Sequence, residues 1–107
     1  MQKLVCAALL EIGNGYGLEA DDIVSRAMGQ NGVDCVLSPA ARRIFPLAIE
    51  CKAVEALNVP KTFWDHYKKY EKDNSLKLLI HTRNRQTPLV SLRLEDFLGL
   101  IRKTIDK

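Results

Sequence analysis

Long apolar runs are missing from this sequence of 107 residues, since no stretch approaches the roughly 20 apolar residues that a membrane-spanning helix needs. The apolar stretch over residues 4–10 is too short for a signal peptide and lacks a small-residue cleavage site, so we expect none. Internal repeats, linkers and low-complexity segments are lacking too. These absences predict a single domain over residues 1–107 and argue against a membrane protein, a multidomain enzyme or a dinucleotide-binding Rossmann domain.

Cysteine is scarce. Cys6, Cys35 and Cys51 are odd in number, far apart in sequence and without a CxxC pair. This pattern fits neither a disulfide framework nor a zinc site. We expect three small, buried thiols in a protein of the reducing cytoplasm.

Hydrophobic residues make up 47% and charged residues 27% of the chain, a balance typical of a folded domain and not of a disordered segment. The net charge is +3, but residues 26–93 carry twelve basic and six acidic side chains, whereas residues 1–24 sum to −3 and those from 94 onward to zero. A basic middle is typical of a phosphate-binding surface. Basic side chains that simply face solvent would explain the excess of positive charge in residues 26–93 equally well.

The spacing of apolar residues divides the chain into helices and strands. Asn58 and Pro60 indicate the start of a central helix, and the closing helix is expected to pack on the sheet. The predicted helices cover residues 2–12, 60–73 and the stretch from 94 onward, and the predicted strands cover 33–38, 46–52, 76–82 and 88–93. Residues 18–32 fit either a short helix or an extended edge segment.

The order αββαββα predicts an α/β fold. We expect a central, mostly antiparallel or mixed sheet of four to five strands, flanked by helices.

Glu50 and Lys52 lie two positions apart in an alternating strand, so their side chains project from the same face. If this strand forms an antiparallel hairpin with residues 33–38, centred on Arg42, Asp34 lies opposite Glu50 with about 5.5 Å between the backbones. A slip of one residue would remove this juxtaposition.

Two close carboxylates repel each other and need a cation to remain ionised together. Oxygen ligands of this kind suit Mg²⁺ or Mn²⁺, so we expect Asp34, Glu50 and the Cys51 carbonyl to bind such an ion. The ion would activate water against a phosphodiester, and Lys52 would position that water or stabilise charge on phosphorus. The alternative is a surface Glu–Lys pair with Asp34 as a turn residue.

Asp34, followed after fifteen residues by Glu50-Cys51-Lys52, resembles the D…ExK core of the PD-(D/E)XK nuclease superfamily. The chain is similar to small phage endonucleases of that superfamily, which look like compact relatives of archaeal Holliday-junction resolvases. The segments that carry this similarity are residues 26–34, 38–43, 45–52, 57–59, 83–85 and 92–98.

This resemblance implies a restriction-endonuclease-like core and a metal-dependent DNase of the cytoplasm of a bacterial or phage-infected cell. It assigns Asp34 and Glu50 as metal ligands and Lys52 as the catalytic base or electrostatic partner. Many members carry a further Glu in the first helix, where Gln2 is the best-placed residue here and Glu11 lies a turn or more too late.

Members often carry a Gln, and sometimes a Gln-x-x-x-Tyr pattern, in the helix after the ExK strand. His66 and Tyr70 occupy that place here and share one helical face. They are accessory candidates. The alternative for His66 is a packing or capping role.

Basic side chains around the expected metal centre are candidates for contact with the DNA backbone. Arg42 and Arg43 are placed at the tip of the expected hairpin. Lys72 extends the helical stripe that begins with Lys61 and Lys68. The DNA-binding candidates are Arg26, Arg42, Arg43, Lys61, Lys68, Arg83 and Arg85.

We therefore expect a Mg²⁺- or Mn²⁺-dependent endonuclease acting on DNA, preferentially on branched or junction DNA. Symmetric cleavage of a junction needs two active sites, so a chain this short is expected to act as a homodimer. One alternative is a less selective nickase that serves phage recombination or DNA breakdown. Another is a non-catalytic nucleic-acid-binding module with the same fold.

Overall fold

Helices and strands alternate along the chain in the computed structural model, which describes residues 1–26 and 32–105. The helices are α1 (Gln2–Asn14), α2 (Pro39–Ile44), α3 (Val59–Lys69) and α4 (Leu94–Ile105), and a 3₁₀ turn covers Ala20–Asp22. The strands are β1 (Ile23–Ser25), β2 (Cys35–Leu37), β3 (Leu47–Ala53), β4 (Leu76–Thr82) and β5 (Leu89–Ser91).

Helix α1 ends in a glycine-rich turn at residues 13–17. Gly13 is buried, and a Cβ at this position would collide with the side chain of Leu18. Gly17 has a φ of 87°, a left-handed conformation that favours glycine. The turn therefore brings the chain back under α1 and into β1.

The strands form two sheets among the described residues. In one, β1 pairs with β2 in an antiparallel arrangement. In the other, the order is β3-β4-β5, with β3 parallel to β4 and β4 antiparallel to β5. The predicted α/β class is confirmed, but the expected single sheet of four to five strands is divided into a sheet of two and a sheet of three strands.

The predicted hairpin between residues 33–38 and 46–52 is wrong, because the connection folds as helix α2. The Ser38 hydroxyl accepts a hydrogen bond from the Ala41 amide at 3.1 Å, and Pro39 opens the helix. With a helix in the connection, β2 pairs with β1, and β3 is free to pair in parallel with β4.

The ambiguous segment 18–32 adopts the extended alternative where the structure describes it, because Ile23–Ser25 is a strand. Residues 27–31 of that segment lie outside the described residues.

The core lies between α1, α2 and the inner faces of the two sheets. Its most buried side chains include Ile23, Cys35, Ala41 and Ile49. The predicted alternation in β3 is confirmed, since Leu47, Ile49 and Cys51 face this core. The other face of β3, with Glu50 and Lys52, is turned toward α3, as the cavity described below indicates.

Helix α4 does not pack on the sheet with its apolar side. Its apolar side chains form an outer stripe, which consists of Leu94, Phe97, Leu98, Ile101 and Ile105 and is 39% to 73% exposed. The opposite side, with Asp96, Gly99 and Lys103, lines a cavity of about 480 Å³ beside Phe45 and Leu76, and Glu95 and Leu100 lie at its borders. The prediction of an apolar face packed on the sheet is therefore wrong.

The polar contacts of Arg93 set the rotation of α4. Its guanidinium lies 4.9 Å from the centre of the Tyr67 ring and 3.0 Å from Asp96 Oδ2. These contacts hold Asp96 toward the domain and leave the outer stripe to solvent. Among residues 1–26 and 32–105, no helix is both long enough and apolar enough to traverse a bilayer.

Candidate functional site

Asp34 is attached to the edge of β3. Its amide donates to the Ile49 carbonyl at 2.9 Å, and its Oδ2 accepts from the Cys51 amide at 2.6 Å. These two bonds fix the carboxylate of Asp34 beside the residue that separates Glu50 from Lys52. The structure thus brings the three residues together, although through a bridge to the strand edge and not through a hairpin.

Glu50 and Lys52 project from the same face of β3, as the sequence predicts. Lys52 Nζ lies 3.4 Å from Glu50 Oε1, and the side chains are 42% and 22% exposed, respectively. Both line a cavity of about 370 Å³ between β3 and α3, together with Thr62, Asp65 and Lys69. An acid and an ammonium group therefore meet in a recess that solvent can enter.

The Cys51 carbonyl lies on the same edge of β3 as the Asp34 carboxylate. The N–H and C=O groups of one residue point to the same edge of a strand. Because the Cys51 amide bonds to Asp34, its carbonyl is directed to that side as well. This placement agrees with the expected role of the Cys51 carbonyl, which remains a prediction.

The donors of this site fit a hard divalent cation, because they are two carboxylates and a backbone carbonyl. Within the described ranges, no group of three or more His, Cys, Asp or Glu side chains is arranged to hold a metal ion. The Glu50 carboxylate is turned toward Lys52 and α3. Water and substrate oxygens would complete the coordination of such an ion.

His66 is buried in α3 directly beneath this site, with its side chain 2% exposed. Its Nε2 lies 2.9 Å from the Ala48 carbonyl, and since a carbonyl only accepts, Nε2 carries the proton. Its Nδ1 lies 4.0 Å from Glu50 Oε2 and has no hydrogen-bond partner among the described residues. The ring also stacks edge to face on Tyr70 at 5.2 Å. His66 therefore has a packing role, which was the alternative expected for it, and its Nδ1 also faces Glu50 Oε2.

The other accessory candidates divide into one near residue and two with no contact to the acids. Gln2 Nε2 donates to the carbonyls of Arg26 and Asp34 at 2.7 and 2.9 Å, so it holds the Asp34 backbone and not its carboxylate. Glu11 is exposed and lies nine residues further along α1, roughly 13 Å away along the helix axis. The Tyr70 hydroxyl is buried and has no partner among the described residues.

The basic candidates are dispersed, and several are already engaged. Arg42 and Arg43 lie in α2, not at a hairpin tip, and Arg42 is paired with Asp73 at 2.7 Å. Lys61 is paired with Asp65 at 2.7 Å, and Arg26 donates from Nε to the Val33 carbonyl at 2.8 Å. The exposed remainder is Arg43, Lys68, Arg83 and Arg85, and Lys72 lies beyond the end of α3.

Sequence reasoning missed Lys69, which lines the cavity beside Glu50 and Lys52. Its position three residues after His66 on α3 is the signal that could have placed it there.

The three cysteines, far apart in sequence, meet in the core beside Asp34. All three are free, and the Sγ atoms of Cys6 and Cys35 lie 2.9 Å apart. Burial raises the pKa of the Cys6 thiol. The hydrogen bond between Cys35 and Cys51 raises the pKa of Cys35, with burial acting in the same direction, and lowers that of Cys51. Cys6 and Cys35 are buried as expected, whereas Cys51 is partly exposed, and the contact between the thiols was not predicted.

Comparisons with models of protein families, with curated proteins and with solved structures found no match to this chain.

Proposed function

We propose that the protein is a Mg²⁺- or Mn²⁺-dependent endonuclease that hydrolyses phosphodiester bonds in DNA. The observation that carries the proposal is the attachment of the Asp34 carboxylate to the Cys51 amide, between Glu50 and Lys52. The spacing of these residues, with their resemblance to the D…ExK core of the PD-(D/E)XK nucleases, supports the same chemistry.

In this proposal the carboxylates of Asp34 and Glu50 and the carbonyl of Cys51 hold the ion. When bound, the ion supplies Lewis-acid chemistry that activates water and neutralises the phosphate. Lys52 acts through its ammonium group, which positions the attacking water or stabilises the charge that develops on phosphorus. Its contact with Glu50 at 3.4 Å places that charge at the mouth of the cavity.

DNA is the proposed substrate because the chain has a net charge of +3 and carries exposed basic side chains on α3 and in the turn after β4. Lys69 on α3 lines the cavity, its neighbour Lys68 is exposed, and Arg83 and Arg85 lie in the turn that follows β4. Such groups bind phosphates and give an affinity that falls as salt rises. We propose branched or junction DNA as the preferred form, a homodimer as the working unit and the cytoplasm as its location.

The test compares cleavage of a four-way junction, a flap, a linear duplex and a single strand at equal concentrations, with Mg²⁺, with Mn²⁺ and with chelator. Asp34→Asn, Glu50→Gln and Lys52→Ala are expected to lower the cleavage rate by roughly 100-fold or more while DNA binding survives. Asp21→Asn and Lys3→Ala are the matched controls, since both side chains are exposed on elements remote from the cavity. Full activity in the three site variants would reject the assignment.

One observation favours a second candidate, a nucleic-acid-binding module without catalysis. In the described part of the chain, no three metal-ligating side chains form a cluster. Under this candidate, DNA binding falls with salt as before, but neither Mg²⁺ nor Mn²⁺ produces cleavage of any of the four DNA forms. The same assay therefore decides between the two candidates.

A further inference from the structure

His66 Nδ1 has no hydrogen-bond partner among the described residues, and this nitrogen is a candidate ligand for the metal ion. Histidines that bind metals almost always donate their other ring N–H to a carbonyl or carboxylate, which fixes the tautomer and directs the remaining lone pair at the ion. His66 has this arrangement, because Nε2 donates to Ala48 O and the buried Nδ1 is directed at Glu50 Oε2, 4.0 Å away.

The distance between the two atoms suits a shared ligand. A first-row metal binds nitrogen and carboxylate oxygen at about 2.0–2.2 Å, so two donors of one ion lie within about 4 Å of each other. Lys52 approaches the other oxygen of Glu50, Oε1, and leaves Oε2 to the His66 side.

We infer that Glu50 Oε2 and His66 Nδ1 bind one divalent transition-metal ion. An imidazole ligand shifts preference away from Mg²⁺, which takes oxygen ligands, toward Mn²⁺ and the metals that accept nitrogen. This inference rests on the proposed function only through Glu50, and it adds a ligand that the D…ExK residues do not include.

The experiment uses Mn²⁺ as probe and measures its affinity by calorimetry and its ligands by electron spin-echo modulation. In the natural protein we expect a nitrogen coupling on bound Mn²⁺. His66→Gln removes that coupling and weakens Mn²⁺ binding roughly tenfold or more. His81→Gln is the matched control, because His81 is the only other histidine in the sequence and its Nε2 pairs with Ser91 Oγ at 2.9 Å.

Absence of nitrogen coupling in the natural protein, or its persistence in His66→Gln, would overturn the inference. Because the natural protein alone gives the coupling, a variant that fails to fold does not prevent a decision. The cleavage assay distinguishes failure of the inferred His66 ligand from failure of the proposed endonuclease activity. Cleavage without nitrogen coupling leaves the endonuclease standing and removes His66, whereas coupling without cleavage leaves the ion site and rejects the endonuclease.

A second, independent observation is the outer stripe of α4. Its five large apolar side chains span one helical face, while the polar side of the helix is turned to the domain. With side chains that are 39% to 73% exposed, the stripe is comparable to the largest apolar patch, of a few hundred Å², that a typical monomer leaves in water. Two such stripes packed together approach the lower limit of about 1,200 Å² for a stable interface.

The charges beside the stripe suit pairing with a second copy in an antiparallel orientation. Glu95 and Arg102 are seven residues apart, so both lie on the same flank of the stripe. In a two-fold antiparallel helix pair, equivalent flanks face each other, and the acidic start of one helix meets the basic end of the other. Glu95 of one copy then faces Arg102 of the second.

The geometry points to the outer stripe as the interface of a homodimer, formed by antiparallel packing of two α4 helices. Sedimentation equilibrium of the full chain, without DNA or metal, tests this separately from any cleavage. We expect a dimer whose dissociation constant rises roughly tenfold or more in Ile101→Glu. Leu4→Glu, which changes a 67% exposed leucine of α1, is expected to leave it unchanged.

Charge reversal tests the orientation. Glu95→Arg or Arg102→Glu alone is expected to weaken the dimer, and the double exchange to restore it. A monomer at every concentration, or a dimer indifferent to Ile101→Glu, would overturn the inference. So would binding of the monomer to phosphatidylglycerol vesicles through Ile101, which would assign the stripe to a lipid surface.

Discussion

Ile49 is the buried residue that connects the core with the candidate site. Its side chain is 1% exposed, and its carbonyl accepts the bond from the Asp34 amide. Ile49→Ala is expected to lower the free energy of unfolding by about 2–5 kcal/mol, because a cavity replaces the side chain. Urea denaturation measures it, and Ile12→Ala, at a 58% exposed isoleucine, should change the value by less than about 0.5 kcal/mol. Equal losses in the two variants would contradict this account of the core.

The thiol cluster gives a second expectation for single residues. Cys6 and Cys35 are buried, whereas Cys51 is partly exposed. Iodoacetamide is therefore expected to modify Cys51 first in the folded protein, and Cys6 and Cys35 only in denaturant. Mass spectrometry of the labelled peptides measures the order, and Cys51→Ala should abolish labelling of the folded chain. Early labelling of Cys35 would show that the strands around it do not pack as described.

For single residues, the sequence predicts the face of the sheet on which a side chain lies, because side chains alternate between the two faces of a strand. The alternating pattern of residues 46–52 places Leu47, Ile49 and Cys51 on one face of β3, and these residues belong to the core. His66 and Lys77 could not be placed, because their partners are backbone carbonyls of distant or looped segments. His66 pairs with Ala48, and Lys77 donates to the carbonyl of Ser75 at 2.7 Å. The pattern of side chains along the sequence does not indicate which backbone carbonyl will accept such a hydrogen bond.

Among the elements, the 3₁₀ turn before β1 is tied to the start of α2 by one carboxylate. Asp22 accepts from the Glu19 amide and from the Ser38 hydroxyl, each at 2.7 Å. The Glu19 bond foremost, and then the Ser38 bond, hold the pKa of Asp22 below its usual range. Because the pKa is lower in the folded state, its stabilising effect is present above the unfolded pKa of about 4 and is lost as pH falls through the folded value.

Asp22→Asn is therefore expected to lower stability at pH 7 and to reduce the loss of stability on acidification below about pH 4. Denaturation curves at pH 3 and pH 7 measure the difference. Asp21→Asn, at a neighbouring exposed acid, is the control. If Asp22→Asn and the natural protein lose the same stability on acidification, Asp22 does not connect these elements.

The long elements were predictable, and so were the short strands β2 and β5, which lie within the predicted strands 33–38 and 88–93, whereas helix α2 was not. Eleven- to thirteen-residue helices and seven-residue strands repeat their apolar period often enough to be recognised. Helix α2 has six residues, too few for a period, although Ser38 and Pro39 carry the signal of a capped start. The rotation of α4 depends on Arg93 and Tyr67, and this tertiary contact is invisible to a helical pattern.

For the molecule as a whole, the excess of basic residues in the middle of the chain predicts salt-dependent DNA binding. Arg83→Ala is expected to weaken DNA binding at low salt and to reduce the slope of log affinity against log salt by about 1. Arg42→Ala serves as a comparison, since Asp73 already pairs with Arg42 at 2.7 Å and a smaller change follows. Fluorescence anisotropy over a salt series gives both slopes. Identical slopes for the natural protein and Arg83→Ala would remove the β4–β5 turn from the DNA surface.

The position of the site within the whole molecule was only partly predictable. The sequence placed Asp34 near Glu50 through an antiparallel hairpin, whereas the chain achieves contact by bonding Asp34 to the edge of a strand that runs parallel to β4. Spacing along the chain determined which residues meet. The path of the chain between them depends on the short helix α2, which the prediction of an antiparallel hairpin did not include.

The most direct test of the central claim is one measurement of DNA cleavage and DNA binding on the same samples. A four-way junction is incubated with the natural protein and with Asp34→Asn, in Mg²⁺ and in chelator. We expect Mg²⁺-dependent cleavage by the natural protein and a rate reduced roughly 100-fold or more in Asp34→Asn, with the bound fraction of DNA retained. Equal cleavage by the two proteins, or cleavage that persists in chelator, would contradict the central claim.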